Sequence, residues 1–384
     1  MNIVHVYNRK WPTKRPGVSF STLTCDGLAS SGANVDMITS QISETEYKDK
    51  SINFILENYF TVKPKPNLNI FPLRYNKYIG ENTMFYLSAF RKIIKLSKEK
   101  KIDAIITMNT NFLPYLYLLK KITKAKIFFE THHLYVAPYL REKNNRKKET
   151  IIQNYFLPKI DGIICLQKEQ IRLYKDNINQ NNYCLARTGV KNVNQDHDPW
   201  INEYIGYVGS LDDSKGVKEI LYAFKLVKNK NLKLLLVGGR NKKIVQEYSD
   251  LAKELGISDR FKITGWVSRK KLEDYLKQIK IGIVPAQDTF YNRYITSPMK
   301  IFNYFSYGIP IIGSDLPTIR EIVTSEGGIF YKKGEKDKLA TAIESLSLEN
   351  DLYDKKSKYI FKRALELTWE KRGEKIIDFI NQVS

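Results

Sequence analysis

The chain has 384 residues, 42% of them apolar and 27% charged, with 63 Lys and Arg against 41 Asp and Glu for a formal net charge of +22. That length predicts two domains with a core each, and the balance excludes disordered and fibrous classes. No apolar run approaches the roughly 18–20 residues that span a bilayer, and Cys25, Cys165 and Cys184 form neither a metal spacing nor a disulfide framework.

Taken in chain order, short apolar runs alternate with segments of helical period. The opening MNIVHVYNRKWP reads as a strand running into a polar loop and not as a secretory signal. With the cysteine usage, that makes the cytoplasm the expected compartment. Strands are predicted at 2–7, 34–38, 68–71, 103–107, 126–130, 162–165 and 183–185, with amphipathic stretches at 19–31, 82–100 and 150–157 among them. The segment 40–80, with Pro64, Pro66 and Pro72, reads as a long loop or insertion. Residues 191–203, KNVNQDHDPWINE, are polar and aperiodic and read as a linker. The alternation then restarts with strands at 204–208, 232–237, 261–264, 281–284, 310–313 and 328–331. Two such series imply an α/β protein with two doubly wound parallel sheets.

In such sheets ligands bind beyond the carboxyl ends of the strands. Three loops of the second half have that position. YVGSLDDSKG turns at Gly209 and Gly216 and sets Lys215 near a helix start; LLLVGG ends a strand at Gly238; SPMK places Ser297, Pro298, Met299 and Lys300 at another helix start. Backbone N–H groups at helix starts, with Lys215 and Lys300 as point charges, suit a diphosphate. Asp212 and Asp213 read as a helix-start signal, and no metal-binding pair of aspartates is recognisable, so no metal site is assigned.

Arranged as YVGSLDDSKGV, LLLVGG, FKITGWV and SPMKIFNYFSYGIPIIGSDLPTIREIV, residues 200–330 closely resemble glycosyltransferase family 4, and DGIICLQKEQI, RTGV and LTWEKRGEKIIDF extend the resemblance more loosely along most of the chain. The resemblance implies the GT-B fold, two Rossmann-like doubly wound parallel-sheet domains facing across a cleft. On that basis the expected divisions are an acceptor-binding domain at 1–195, a nucleotide-sugar-binding domain at 196–365, and a C-terminal helix at 366–384 crossing back to the first domain.

The resemblance also implies roles. Lys215 grips the donor diphosphate, with Gly209, Ser210, Gly238 and the Ser297–Lys300 loop around it. Trp266 and Val267 flank the base, Asn303 meets the ribose, and Gly17 lies close to the phosphates because it lacks a side chain. His132, in FFETHHLY, matches the family's Glu-x-His pattern and is the candidate for acceptor activation or for contact with the donor sugar, while the neighbouring His133 reads as a loop residue.

The implied activity is retaining, metal-independent transfer from a UDP- or GDP-linked sugar, with no cofactor, to a glycan or an undecaprenyl-diphosphate-linked acceptor. Bacterial surface-polysaccharide assembly is the expected setting.

Two positions depart from the family pattern. Ser210 stands where an arginine is usual, leaving Lys300 or Arg293 to supply the missing charge. Ile295 and Asn303 replace the usual pair of glutamates; Asn303 can still accept and donate hydrogen bonds, and Tyr294, Thr296 or Asp288 is left to serve the sugar in place of Ile295. The departures keep a catalytically weakened scaffold protein as one alternative, with a sugar-nucleotide 2-epimerase as another.

Charge is uneven along the chain: residues 1–190 hold 30 Lys and Arg against 15 Asp and Glu, so +15 of the +22 lies there. No nucleic-acid-binding signature accompanies it. NTMFYLSAFRKIIKLSKEKK and REKNNRKKETIIQNYFLPK mix apolar and basic residues, which predicts either helices packed on their own sheet or a patch for an anionic membrane surface at the inner face of the cell membrane.

Overall fold

The computed structural model describes residues 1–42, 45–75, 80–140 and 146–383. The chain forms two compact units, Met1–Gly189 with Trp369–Ser384, and Val190–Thr368.

The first unit runs β1 (Asn2–Lys10), α1 (Pro16–Ser30), β2 (Asn34–Ser40), α2 (Ile52–Tyr59), β3 (Leu68–Leu73) and α3 (Glu81–Glu99). It continues with β4 (Ala104–Thr107), α4 (Leu113–Thr123), β5 (Lys126–Glu130), α5 (Lys147–Phe156), β6 (Gly162–Cys165), α6 (Lys168–Asn177) and β7 (Tyr183–Leu185). The second runs β8 (Tyr204–Val208), α7 (Lys218–Leu226), β9 (Lys233–Val237), α8 (Lys242–Glu254), β10 (Phe261–Ile263), α9 (Arg269–Leu276) and β11 (Ile279–Val284). Then follow α10 (Phe290–Tyr294), α11 (Met299–Phe305), β12 (Ile311–Ser314), α12 (Pro317–Gly327), β13 (Gly328–Tyr331), α13 (Lys336–Leu348) and α14 (Asn350–Glu366). Helix α15 (Trp369–Gln382) belongs to the first unit, where it packs on α1.

Both sheets are parallel. Their orders are β3-β2-β1-β4-β5-β6-β7 and β10-β9-β8-β11-β12-β13, each reversing direction beside its first strand. The short apolar runs form strands because helices cover both faces: every residue of β4, β6 and β11 is buried. The reversal leaves a crevice at the carboxyl ends of β1 and β4 in one sheet and of β8 and β11 in the other, where loops diverge and ligands find room.

Two sequence expectations change, and one open alternative is decided. The 191–203 segment is not a free linker: it lies inside the second unit, where the Val190 N–H donates to the Leu367 carbonyl, the Asn194 N–H donates to the Ser306 carbonyl, and the Lys280 ammonium sits 3.5 Å over the Trp200 ring. The 40–80 segment is not one loop, for it carries α2 and the edge strand β3, which pairs with β2 from Val35–Leu68 to Ser40–Leu73. Helix α3 turns Phe85, Tyr86, Ala89, Ile93 and Leu96 inward and leaves its lysines outside, so the apolar–basic mixture there is an ordinary amphipathic helix. The other mixed segment begins at 141, and its residues 141–145 lie outside those described.

Candidate functional site

In the second unit the carboxyl end of β8 is built around two glycines. Gly209 has φ +142° and Gly238 has φ +151°, conformations that L side chains rarely adopt. A Cβ on Gly238 would run into the Gly209 carbonyl, so the loops after β8 and β9 touch backbone to backbone. The Tyr207 hydroxyl donates to the Ser210 carbonyl (2.6 Å) and fixes the turn that follows.

Lysine 300, in the first turn of α11, reaches into this corner. Its Nζ lies 3.9 Å over the Tyr207 ring and would be 3.2 Å from a Cβ on Gly209. Burial first, and then the positive charge of Lys215, push the Lys300 ammonium down to about 7. Among the described residues no carboxylate pairs with either lysine. The nearby acids are engaged elsewhere, Asp213 with Lys218 (3.4 Å) and Asp212 with Arg240 (4.0 Å). Two amines without an acid, both half-buried, form a site that an anion would complete.

Lys215 closes a short 3-10 turn, Asp213–Lys215, and Gly216 follows with φ +70° before α7 begins. Asp212 occupies the start of that turn but makes no side-chain cap, so the helix-start reading holds for its position only. Pro298 is the residue before α11 and not its first residue. Ser297 and Met299 are half-buried beside it.

Of the two cations offered as replacements for the missing arginine, Arg293 is committed elsewhere: its Nε donates to Asp288 Oδ1 (2.9 Å), and a second bond from Nη2 completes the fork. The same exposed pair engages Asp288. Lys300 makes no such pair among the described residues. Ile295 is buried, whereas Asn303 is half-buried and its amide makes no hydrogen bond among the described residues. Trp266 is exposed on the loop after β10, and that loop bridges back from Gly265 to Gly238; Val267 packs into the core beneath. The second unit thus gathers Gly209, Ser210, Gly238 and Lys300 at one corner, with Lys215 near enough to act on the Lys300 charge.

In the first unit His132 lies beyond the end of β5. Its Nε2 is 3.3 Å from Glu130 Oε1, and its ring stands edge-on to Phe20 at 4.6 Å. Glu130 is fully buried. Burial alone would raise its carboxyl, but the Arg372 guanidinium, 2.6 Å away, together with His132 and His5, holds it well below the usual carboxylate range. An ionised Glu130 only accepts, so Nε2 of His132 carries the proton and Nδ1 is left as the ring's acceptor when the imidazole is neutral. His133 is exposed, its ring stacked on Tyr135.

At Gly17 the space that a side chain would take is filled by the Tyr7 hydroxyl, so this position admits no side chain without a shift of that phenol. Sequence reasoning passed over Arg372 and Tyr207: no motif marks an arginine 242 positions from the glutamate it serves. Among the described residues no group of three or more His, Cys, Asp or Glu side chains is placed to hold a metal ion.

Comparison with known proteins bears on this geometry. Residues 197–363 match the family model "Glycosyl transferases group 1". The curated proteins give no significant match. Among solved structures, sucrose-phosphate synthase from Thermosynechococcus elongatus is similar with a TM-score of 0.76 at 16% identity, over 99% of this chain and 98% of that one. A variant of TarM from S. aureus, in complex with fondaparinux, α-GlcNAc-glycerol and UDP, gives 0.75 at 11% identity over 99% and 100%. HepE from Anabaena, in complex with UDP, gives 0.72 at 13% identity, again over 99% and 100%. The family match spans most of the unit that carries the two-lysine corner, and the likeness to the solved structures runs the length of the chain: the second unit matches the glycosyl transferases group 1 domain over most of its length, and the chain has the GT-B fold.

Proposed function

We propose that the chain transfers a sugar, with retention and without a metal ion, from a UDP- or GDP-linked donor to a glycan or a lipid-linked glycan of a bacterial surface polysaccharide. The observation that carries the donor half of this reading is the pair of amines, Lys215 and Lys300, that meet no carboxylate among the described residues. A nucleotide diphosphate supplies the missing charge. Its oxygens would take the two ammonium groups together with N–H groups of the Ser297–Lys300 loop, and the exposed Trp266 ring would flank the base. As the bond to the sugar breaks, negative charge grows on the leaving diphosphate, and fixed ammonium groups in a partly desolvated corner stabilise that charge more than they stabilise the bound donor. Two of the solved structures of similar fold were determined with UDP bound, which supports a nucleotide donor here.

On this reading Asn303 offers the ribose a neutral amide in place of a carboxylate. His132, its Nε2 committed to Glu130, offers Nδ1 to a substrate hydroxyl. Buried Ile295 can offer nothing polar, which favours one second reading, a transferase-derived scaffold that binds nucleotide but turns over little.

The two readings part on one variant. Lys215→Ala should lower nucleotide release from a donor sugar, with acceptor present, by more than roughly tenfold, because a charged contact to the leaving group is worth about 1.5–3 kcal/mol. Its far-ultraviolet circular dichroism should not change. Equal release by the variant and the parent chain would remove the diphosphate assignment, and no release from either under any donor would favour the scaffold.

A further inference from the structure

Helices α4 and α5 lie side by side on the first unit, with the Tyr117 and Phe156 rings 6.0 Å apart between them. Both helices carry large apolar side chains on the wrong side. Leu118 is 51% exposed and Ile122 57%; Ile151 is 68% exposed and Tyr155 58%. Each pair is spaced i, i+4, so each forms a stripe on its helix and not a scatter. Exposed apolar residues met singly need no explanation, but two stripes on adjacent helices do.

The setting of these stripes is basic. Lys121 lies within the α4 stripe, the Lys159 ammonium sits 3.0 Å over the Tyr155 ring, and Lys147 and Lys148 open α5. Glu149 is the only acid on either helix. Helix α3, equally basic, exposes none of its large hydrophobic residues and so lacks the second half of the pattern.

We propose that the α4–α5 face docks on an anionic lipid surface, with Leu118, Ile122, Ile151 and Tyr155 entering the headgroup boundary and the lysines meeting lipid phosphates. Among the described residues no helix is long and apolar enough to cross a membrane, so this contact is peripheral. Apolar side chains flanked by lysines match such a boundary in both respects. A second copy of the chain would set the same lysines against one another, and nucleic acid would leave the aliphatic stripe without a partner. The inference stands apart from the donor chemistry, which uses the other unit.

Flotation of the full chain with vesicles tests it. Co-flotation is expected with mixed phosphatidylcholine–phosphatidylglycerol vesicles and not with phosphatidylcholine alone. Ile122→Ser combined with Ile151→Ser should reduce the floated fraction by roughly tenfold or more, and Lys121→Glu with Lys159→Glu should do the same. Arg91→Glu with Lys95→Glu on α3 should leave it unchanged. Donor binding, measured by thermal shift in the same preparations, should be equal in all variants. Parent chain that stays unfloated with both vesicle types, or serine variants that float like the parent, would overturn the proposal. So would a dimer of the parent chain that the serine variants abolish, which would assign the face to self-association.

Discussion

Lys300→Met is expected to weaken nucleotide-sugar binding by about thirty- to a hundredfold, the worth of a charge-assisted contact of roughly 2–3 kcal/mol, while raising the thermal stability of the unliganded protein. The two effects have one cause. The Lys300 ammonium is partly desolvated, faces the positive charge of Lys215 and has no acid partner among the described residues, so the folded chain bears an electrostatic penalty that a methionine of similar length removes. A diphosphate would offset the same penalty.

The pH dependence follows with a definite sign. Burial and Lys215 bring Lys300 down to about 7, from an ordinary value near 10.5. An unfolded chain therefore binds more protons than the folded one between those values, so the stability deficit is full below about 7 and is relieved as pH rises through that window. A bound diphosphate returns the amine toward its ordinary value. Above about pH 7, binding should therefore take up a proton, and affinity should fall by up to about tenfold per pH unit. Calorimetry of a nucleotide-sugar in buffers of different ionisation enthalpy measures that proton directly. Lys300→Met should show neither the uptake nor the slope. A parent chain whose affinity is flat from pH 7 to 9 would contradict the assignment.

The second large effect lies in the first unit. Arg372→Met should destabilise that unit by about 3–5 kcal/mol, the consequence of leaving a buried carboxylate without its cation. Glu130 is held well below the usual carboxylate range, so its contribution to stability is present above its unfolded value and is lost as pH falls through the folded one. In the variant the carboxyl is free to take a proton, and the gap between variant and parent in urea unfolding should narrow as pH is lowered from 7 toward 4.5. Adding Glu130→Gln to Arg372→Met should recover part of the loss, because an amide tolerates burial better than an unpaired charge. A gap that is constant with pH and unchanged by Glu130→Gln would show that Arg372 acts through packing on Phe20 and Trp369 alone, where its guanidinium lies 5.0 and 6.0 Å from the ring centroids.

The contrast between these two sites shows what a sequence can carry. Strands β5, β6 and β8 coincide with the apolar runs that predict them, because a parallel strand buried on both faces has to be short and apolar; the half-buried edge strands β7 and β13 coincide as well. Lys215, Gly209, Gly238 and Lys300 were legible for a related reason. Each sits just past such a strand or at the next helix start, and the order of elements fixes which end of the sheet that is. Arg372 was not legible, since its partner is 242 residues away and only the docking of α15 on α1 brings them together.

Gly17 illustrates another limit: its missing side chain announces a close approach, and the Tyr7 hydroxyl that occupies the space is not legible in the sequence. Composition likewise marked α3 and the 141–159 stretch as equivalent. Periodicity gives the face of a helix, yet only the neighbouring helices decide whether that face is covered, and α5 with α4 leaves its stripe bare.

Titrating the full chain with UDP and GDP, and in parallel with uridine and guanosine, isolates the phosphates from the base and ribose. If paired ammonium groups are the centre of the site, one of the diphosphates binds and its nucleoside is weaker by at least about a hundredfold, two charged contacts' worth. A nucleoside that binds as tightly as its diphosphate, or a chain that takes up neither diphosphate, would contradict it.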